Sequence, residues 1–218
     1  MDTLLHDYLL LSLDDHSGKP DVVDGYAASA AIGAALWAEL QLIGAVGAVS
    51  ADRYLLGEAA EGLDGVLGVA VDRLRRDKPF KATWAISRLG HQRHRQLALE
   101  ELVAGGVLRE ERDKLWIITW RRRWPTTDGS THEEDLRGRL RLWLQTVSQD
   151  TPPGREDLLL SLLRYTKLLG QLWSEGELAR LRPLIEERTR RAPVGQLAKQ
   201  VADSTRAAVT AATAAATG

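Results

Sequence analysis

The stretch from Gly25 to Ala51 constrains the fold of this chain most strongly, because it carries a single charged side chain, Glu39. Alanine and glycine dominate it, and a helix that is apolar on all sides must be surrounded by other elements. A charged group at the centre of a membrane-spanning helix costs about 2.5–3.5 kcal/mol, so Glu39 favours a helix in a protein core over one in a bilayer. We therefore predict a central, buried helix over residues 26–43.

The rest of the chain predicts further helices around this one. Apolar and amphipathic segments predict helices over 4–13, 62–77, 83–105, 133–147, 155–173, 177–191 and 195–210. Short segments bounded by turn residues predict two hairpins, over 46–56 and 107–121. The expected fold class is mainly α, a single helical domain over residues 1–210 with small β-hairpins. Residues 211–218 contain only alanine, threonine and glycine and are expected to form a flexible tail.

Composition excludes several classes of protein. Hydrophobic residues make up 44% of the chain and charged residues 27%, which excludes wholesale disorder and a polytopic membrane protein. The absence of cysteine excludes disulfides, thiolate metal sites and a cysteine nucleophile. Arginine is abundant and asparagine is absent, a pattern typical of a high-GC bacterium. The acidic N-terminus lacks the basic start of a secretion signal, so we expect a cytoplasmic protein.

No motif points to an enzyme. The chain lacks a phosphate-binding glycine loop, a dinucleotide-binding fingerprint, a nucleophile-elbow serine and a zincin motif. His91 and His94 have a spacing that could place two imidazoles on one metal ion, but no carboxylate follows at a matching turn. We therefore expect a non-catalytic protein without a cofactor or a metal ion.

Charge is segregated along the chain although the net charge is only −1. Residues 1–52 contain eight acidic residues and one base, whereas residues 73–95 contain eight bases and one acid. Blocks of this kind indicate a molecule with one electropositive face.

Within the basic segment, Arg88, His91 and Arg95 recur at i, i+3 and i+7 of the predicted helix 83–105, with Arg93 beside them. This spacing predicts a cationic stripe on one helix face. Guanidinium groups bind phosphate oxygens through two parallel hydrogen bonds, so a partner that carries phosphate is indicated. The alternative is a solvated helix face whose arginines reflect only the composition of the genome.

Two kinds of phosphate-bearing partner fit the hairpin that follows. Trp120, followed by Arg121, Arg122 and Arg123, is typical of an anchor at an anionic membrane surface. A helix followed by a basic hairpin also resembles a winged-helix DNA-binding protein. Acidic residues on the supposed recognition helix and the negative net charge disfavour nucleic acid.

A third alternative is a protein-interaction adaptor without lipid specificity, which would bind a protein partner or a second copy through the hairpin.

Several pieces of the chain, in their order, resemble the Golgi phosphoprotein 3 family and its bacterial relatives. These pieces are Leu9–Asp15 with Gly18–Pro20, Ala31–Gly44, Trp84, Leu102–Leu108, Trp124–Pro125 and Asp157–Leu172. The resemblance implies a mostly helical peripheral protein that recognises phosphatidylinositol 4-phosphate on the cytosolic face of a membrane.

The headgroup residues that the resemblance implies carry over only in part. The pocket tryptophan of the eukaryotic members falls near Asp24, where Tyr26 is the closest aromatic residue. Their three arginines fall on Gly33, Gln92 and Arg95. The resulting prediction is a lipid-phosphate site formed by the following residues: Arg88, His91, Arg93, Arg95 and Tyr26. Trp120 and Arg121–Arg123 are expected to contact the inner face of the membrane.

Overall fold

The structure is a computed structural model and describes residues 3–14, 24–76, 78–115, 118–127 and 131–217, with the backbone alone for 112–115, 118–122 and 215–217. The described residues form ten α-helices: α1 (Leu4–Leu10), α2 (Gly25–Leu42), α3 (Gly65–Leu74), α4 (Ala82–Leu89), α5 (Gln92–Ala104), α6 (His132–Thr146), α7 (Arg155–Tyr165), α8 (Leu169–Leu172), α9 (Glu175–Arg191) and α10 (Val194–Thr217). They also form two antiparallel hairpins: β1 (Val46–Ser50) with β2 (Arg53–Leu56), and β3 (Glu111–Leu115) with β4 (Ile118–Arg123). The predicted class, mainly α with small hairpins, is confirmed.

Helix α2 is the central element, as predicted. It begins at Asp24, whose carboxylate accepts hydrogen bonds from the N–H groups of Tyr26 and Ala27, and it ends before Gly44, which has a φ of +74°. Its side chains are buried from Ala30 to Leu40. Helices α1, α4, α7 and α10 pack around it and supply the apolar surroundings that its composition requires.

Glu39 is buried in this core because two groups satisfy its carboxylate. The N–H of Leu4, in the first turn of α1, donates to Oε2 at 2.6 Å, and Nη2 of Arg155 donates to Oε1 at 2.6 Å. A buried carboxylate that lacked such partners would be strongly destabilising. The one charge of the apolar stretch therefore links α2 to α1 and α7.

The predicted helix 83–105 is wrong, because the chain forms two helices, α4 and α5, with a break at Gly90. At the break, a Cβ on Gly90 would overlap the carbonyl oxygen of Ser29, so only glycine allows the close approach to α2. His91 then begins α5, where its Nδ1 accepts a hydrogen bond from the N–H of Arg93 at 3.3 Å. Arg88 and Arg95 consequently lie on different helices, and the predicted stripe on one helix does not form.

Other element boundaries also differ from prediction. The first strand of the second hairpin is Glu111–Leu115, and residues 107–108, where the predicted hairpin begins, precede it. The predicted helix 155–173 divides into α7 and α8 at Lys167, whose φ of 64° is left-handed and incompatible with a continuous helix. Helix α10 runs to Thr217, beyond the predicted end near residue 210.

One cluster of buried side chains joins helices from α1 to α10. Near its centre the Trp37 ring packs edge-on against Tyr54, with ring centroids 4.8 Å apart, which attaches the first hairpin to α2. Among the described residues, no helix combines the length and apolar composition that crossing a bilayer requires.

Candidate functional site

A group of basic side chains around α3 and α4 lies without acidic partners, and we call it the basic face. Among the described residues, no carboxylate forms an ion pair with these side chains: Arg73, Arg76, Lys78, Arg88 and Arg93. Several arginines elsewhere are paired, since Arg139 pairs with Asp7 and Arg141 pairs with Glu177. The positive charge of the basic face is therefore not neutralised within the described part of the fold.

Trp84 holds two of these arginines together. The guanidinium carbon of Arg76 lies 4.8 Å from the centroid of the Trp84 ring, and that of Arg88 lies 5.7 Å from it. Both are within the range of cation–π attraction. The Trp84 ring itself packs on buried Phe80, with centroids 5.3 Å apart, so a rigid aromatic pair positions both cations.

A pocket of about 400 Å³ opens between α3 and the start of α5, and we call it the α3–α5 pocket. Its lining contains four basic side chains and one acidic side chain: Arg73, His91, Arg93, His94 and Asp72, with Val69 as the apolar contribution. Asp72 is turned toward Arg75, with Oδ1 3.8 Å from Nε, and is largely exposed. The electrostatic character of this pocket is therefore positive.

His94 forms the inner wall of this pocket and is 1% exposed. Neither of its ring nitrogens makes a hydrogen bond of good geometry within the described residues. Burial lowers its pKa, and the nearby charges of Arg73 and His91 lower it further against the carbonyls of Leu89 and Val69. His94 is therefore neutral near pH 7.

Arg95 lies apart from the α3–α5 pocket, on the other side of α5. Its guanidinium carbon is 5.1 Å from the Trp124 ring centroid, and Trp124 is buried. One terminal nitrogen, Nη2, is buried without a hydrogen-bond partner among the described residues. Burial lowers the pKa of Arg95, and Tyr8 opposes this shift. The structure thus brings Arg93 and His91 together and separates Arg95 from them.

Tyr26 lies at the start of α2, and its ring faces Arg206, whose guanidinium carbon is 5.6 Å away. Arg206 also pairs with the carboxylate of Asp24. Tyr26 does not line the α3–α5 pocket. At Gly33 a Cβ would overlap the carbonyl oxygen of Ile86, so the backbone of α4 fills the position where the family resemblance places an arginine.

The predicted membrane contact at the second hairpin lies mostly outside the described side chains. This applies to Trp120, Arg121 and Arg122, whose backbone forms β4. Arg123 is described, and its Nη2 lies 3.7 Å from Oε2 of Glu111 across the hairpin. The membrane contact of these four residues stays a prediction.

Another pocket, of about 750 Å³, lies beside the α7–α8 turn and α10, and its charges are mixed. Lys199 donates to Asp203 at 2.7 Å, and Arg206 donates to Asp203 at 3.1 Å. Arg164 donates to Thr189 at 2.9 Å. These cations already have partners within the fold, so this pocket has less unpaired positive charge for an anion than the α3–α5 pocket has.

Sequence reasoning did not assign four members of the site to phosphate binding: Arg73, Arg76, Trp84 and His94. The signal for the first two was present, since they belong to the basic segment 73–95. Nothing local in the sequence distinguishes them from Arg75, which pairs with Asp72, or Lys81, which pairs with Asp52. Only the packing of α3 against α4 and α5 separates the two groups.

Comparison with known proteins agrees with this architecture. A model of the family described as Golgi phosphoprotein 3 (GPP34) matches residues 4–212, from the first helix into the last. No curated protein sequence gives a significant match. Because the family match covers nearly the whole chain, the protein belongs to the Golgi phosphoprotein 3 family.

Proposed function

We propose that this protein is a non-catalytic, peripheral membrane protein that binds anionic phospholipid headgroups through its basic face. The observation that carries the proposal is the set of arginines at α3, α4 and α5 that have no acidic partner among the described residues. An anionic membrane surface attracts such a set electrostatically. Family membership supports the same role, with the inner face of the membrane as its location.

The members of the basic face share neighbours, so they can contact a membrane surface together. Arg73 and Arg93 line one pocket, Arg76 follows Arg73 by three residues at the end of α3, and Arg76 and Arg88 share the Trp84 ring. Neighbouring cations of this kind repel one another unless a counter-charge is present. An anionic bilayer supplies that counter-charge, and it would relieve the repulsion.

The family's headgroup residues are replaced in this sequence at three positions, and these replacements determine which headgroups we propose. Phosphatidylinositol 4-phosphate is the headgroup that the resemblance implies, but Asp24 and Gly33 occupy two of its positions, and Gln92 a third. We therefore propose anionic phospholipids in general, and vesicles with phosphatidylinositol 4-phosphate provide a separate comparison.

Sedimentation with phosphatidylcholine vesicles that contain graded phosphatidylglycerol tests this proposal. We expect binding to rise with the anionic fraction and to weaken as salt screens the charges. The double variant Arg76→Gln/Arg88→Gln should bind roughly thirtyfold more weakly, because each basic side chain near an anionic surface contributes about 1 kcal/mol.

The double variant Arg180→Gln/Arg182→Gln is the matched control. Both arginines are exposed on α9, far along the chain from the basic face, and neither forms an ion pair among the described residues. It removes the same charge and should bind as the wild type does. Equal binding to neutral and anionic vesicles, or equal loss in the two double variants, would contradict the proposal.

A further inference from the structure

We propose that the α3–α5 pocket is a discrete binding site for a phosphate monoester, in which Arg73 and Arg93 bind the dianion and His94 takes up a proton when it binds. The inference deepens the proposed function. It rests on that function only in taking a membrane lipid as the source of the phosphate. It concerns residues that differ from the headgroup positions implied by the family.

The first argument is that no carboxylate among the described residues neutralises the two guanidinium groups of the pocket. Arg73 approaches the pocket from α3 and Arg93 from α5, and neither guanidinium has an ion-pair partner among the described residues. The acidic side chain in the lining, Asp72, is largely exposed and turned toward Arg75. A compact dianion between the two guanidinium groups would receive charge-assisted hydrogen bonds from both.

The second argument is the backbone at the start of α5. Helix α5 is thirteen residues long, and its N-terminal end opens on this pocket. The dipole at a helix N-terminus favours an anion, although the N–H groups of Arg93 and His94 already donate to His91. His91 uses its Nδ1 to accept the N–H of Arg93, so its neutral ring carries the proton on Nε2, which can donate to a ligand.

The third argument is His94, a buried polar side chain beside the carbonyls of Leu89 and Val69. It is 1% exposed and lines the pocket, yet neither ring nitrogen makes a hydrogen bond of good geometry within the described residues. Buried polar groups are normally satisfied, so an imidazole in this state indicates a missing partner. An oxyanion in the pocket would provide an acceptor for it.

The charges that face His94 determine whether the affinity for the ligand rises or falls with pH. From α3 these are Arg73 and Asp72, and from α5 they are His91 and Arg93. The two guanidinium groups outnumber the one carboxylate and favour the neutral ring of His94 in the empty pocket. A bound dianion reverses this preference, so binding takes up a proton and the affinity rises as the pH falls from 8 toward 6.

The volume and the exposure fit a terminal phosphate group better than an extended chain. A pocket of about 400 Å³ holds a phosphate with part of the group to which it is esterified. Arg73, His91 and Arg93 are exposed at the rim, and His94 is buried at the base. A monoester can present three oxygens to such a site, whereas a diester headgroup presents two and a single charge.

Inorganic sulfate is the first probe, because it stays a dianion from pH 5 to 9 and isolates the titration of the protein. We expect calorimetry to show sulfate binding that strengthens from pH 8 to pH 6. Arg93→Gln should weaken it about tenfold, the loss of one charge-assisted hydrogen bond. His94→Gln should abolish the pH dependence, and Arg182→Gln on α9 should change neither property.

Vesicles then identify the source of the phosphate. At equal surface potential, phosphatidic acid, a monoester, should bind the wild type more tightly than phosphatidylglycerol, a diester, and Arg93→Gln should lose this preference. Sulfate binding without a preference between vesicles would support the pocket and overturn the membrane as its source. If no vesicle binds but sulfate does, the proposed function fails and the pocket stands.

Three results would overturn the inference. They are the absence of sulfate binding by the wild type, equal affinities of the wild type and Arg93→Gln, and a pH dependence that persists in His94→Gln. Because Arg93 is exposed, its substitution tests the site without disturbing the fold. Phosphatidylglycerol binding that depends on Arg76 and Arg88, together with any of these results, would leave the proposed function intact.

Discussion

At the scale of single residues, Asp157 shows how the core of this protein holds a charge. Its carboxylate accepts hydrogen bonds from Nε and Nη2 of Arg188, both at 2.7 Å, from the N–H of Gly154 and from Nε1 of Trp143. Asp157 is 0% exposed and Arg188 is 4% exposed. Burial alone would raise the pKa of Asp157, but these hydrogen bonds lower it below its ordinary value of 3.8.

We predict that Asp157→Asn lowers the free energy of unfolding by about 3–5 kcal/mol, because it leaves the buried Arg188 uncompensated. Urea denaturation at pH 7 measures the change. As control, Glu187→Gln removes the exposed partner of Arg190 and should change stability little. If Asp157→Asn lost no more free energy of unfolding than the control, the buried Arg188 would not depend on the charge of Asp157.

The same pair predicts a pH dependence. The pKa of Asp157 is lower in the folded protein than in the unfolded chain, so its stabilisation is complete above pH 3.8 and is lost as the pH falls below that value. In acid titrations, the wild type should therefore lose more stability below pH 3.8 than Asp157→Asn does. Parallel titration curves for the two proteins would show that Asp157 does not carry this dependence.

At the scale of elements, the sequence predicted the existence of most helices and missed three features of the backbone. It placed α2, α6 and α9 within a few residues, because α2 is a long apolar stretch and the apolar residues of α6 and α9 recur at helical spacing. It joined α4 to α5 and α7 to α8 because those breaks depend on tertiary contact at Gly90 and on a left-handed Lys167. It also misplaced the first strand of the second hairpin, since charged residues seldom indicate a strand.

Packing of α2 on α4 depends on glycine at Gly33, where a Cβ would overlap the carbonyl oxygen of Ile86. We predict that Gly33→Ala destabilises the protein by about 1–3 kcal/mol, the usual cost of overpacking a core. Thermal unfolding followed by circular dichroism measures it.

Gly138→Ala on α6 is the matched control, because a Cβ there meets no atom within 4 Å. This substitution should raise stability by up to about 1 kcal/mol, as alanine is the better helix former. If Gly33→Ala were as well tolerated as Gly138→Ala, the two helices could not be in backbone contact.

At the scale of the whole molecule, helix α10 tests the predicted extent of the domain. It packs on α2, α4 and α7, and Ala202 is the last buried side chain among those that the structure describes. We predict that deletion of residues 211–218 leaves the thermal unfolding midpoint unchanged, because residues 211–214 are exposed. Deletion from Val194 onward should prevent folding, since it uncovers α2. A large destabilisation by the shorter deletion would contradict the proposed boundary near residue 210.

The amino-acid sequence alone was enough to predict the central helix, the mainly helical class, the family resemblance and the position of the basic segment. Each of these depends on local composition or on spacing along the chain. Periodic burial and a block of like charge are properties that a linear sequence already contains.

Which cations are free to bind a ligand depends on the packing of the helices. Arg139 reaches Asp7 and Arg206 reaches Asp24, partners that are far apart in the chain, whereas Arg73 and Arg93 line one pocket and pair with no carboxylate among the described residues. The physical reason is that electrostatic pairing depends on distances of a few ångströms, and these distances are set by how the helices pack.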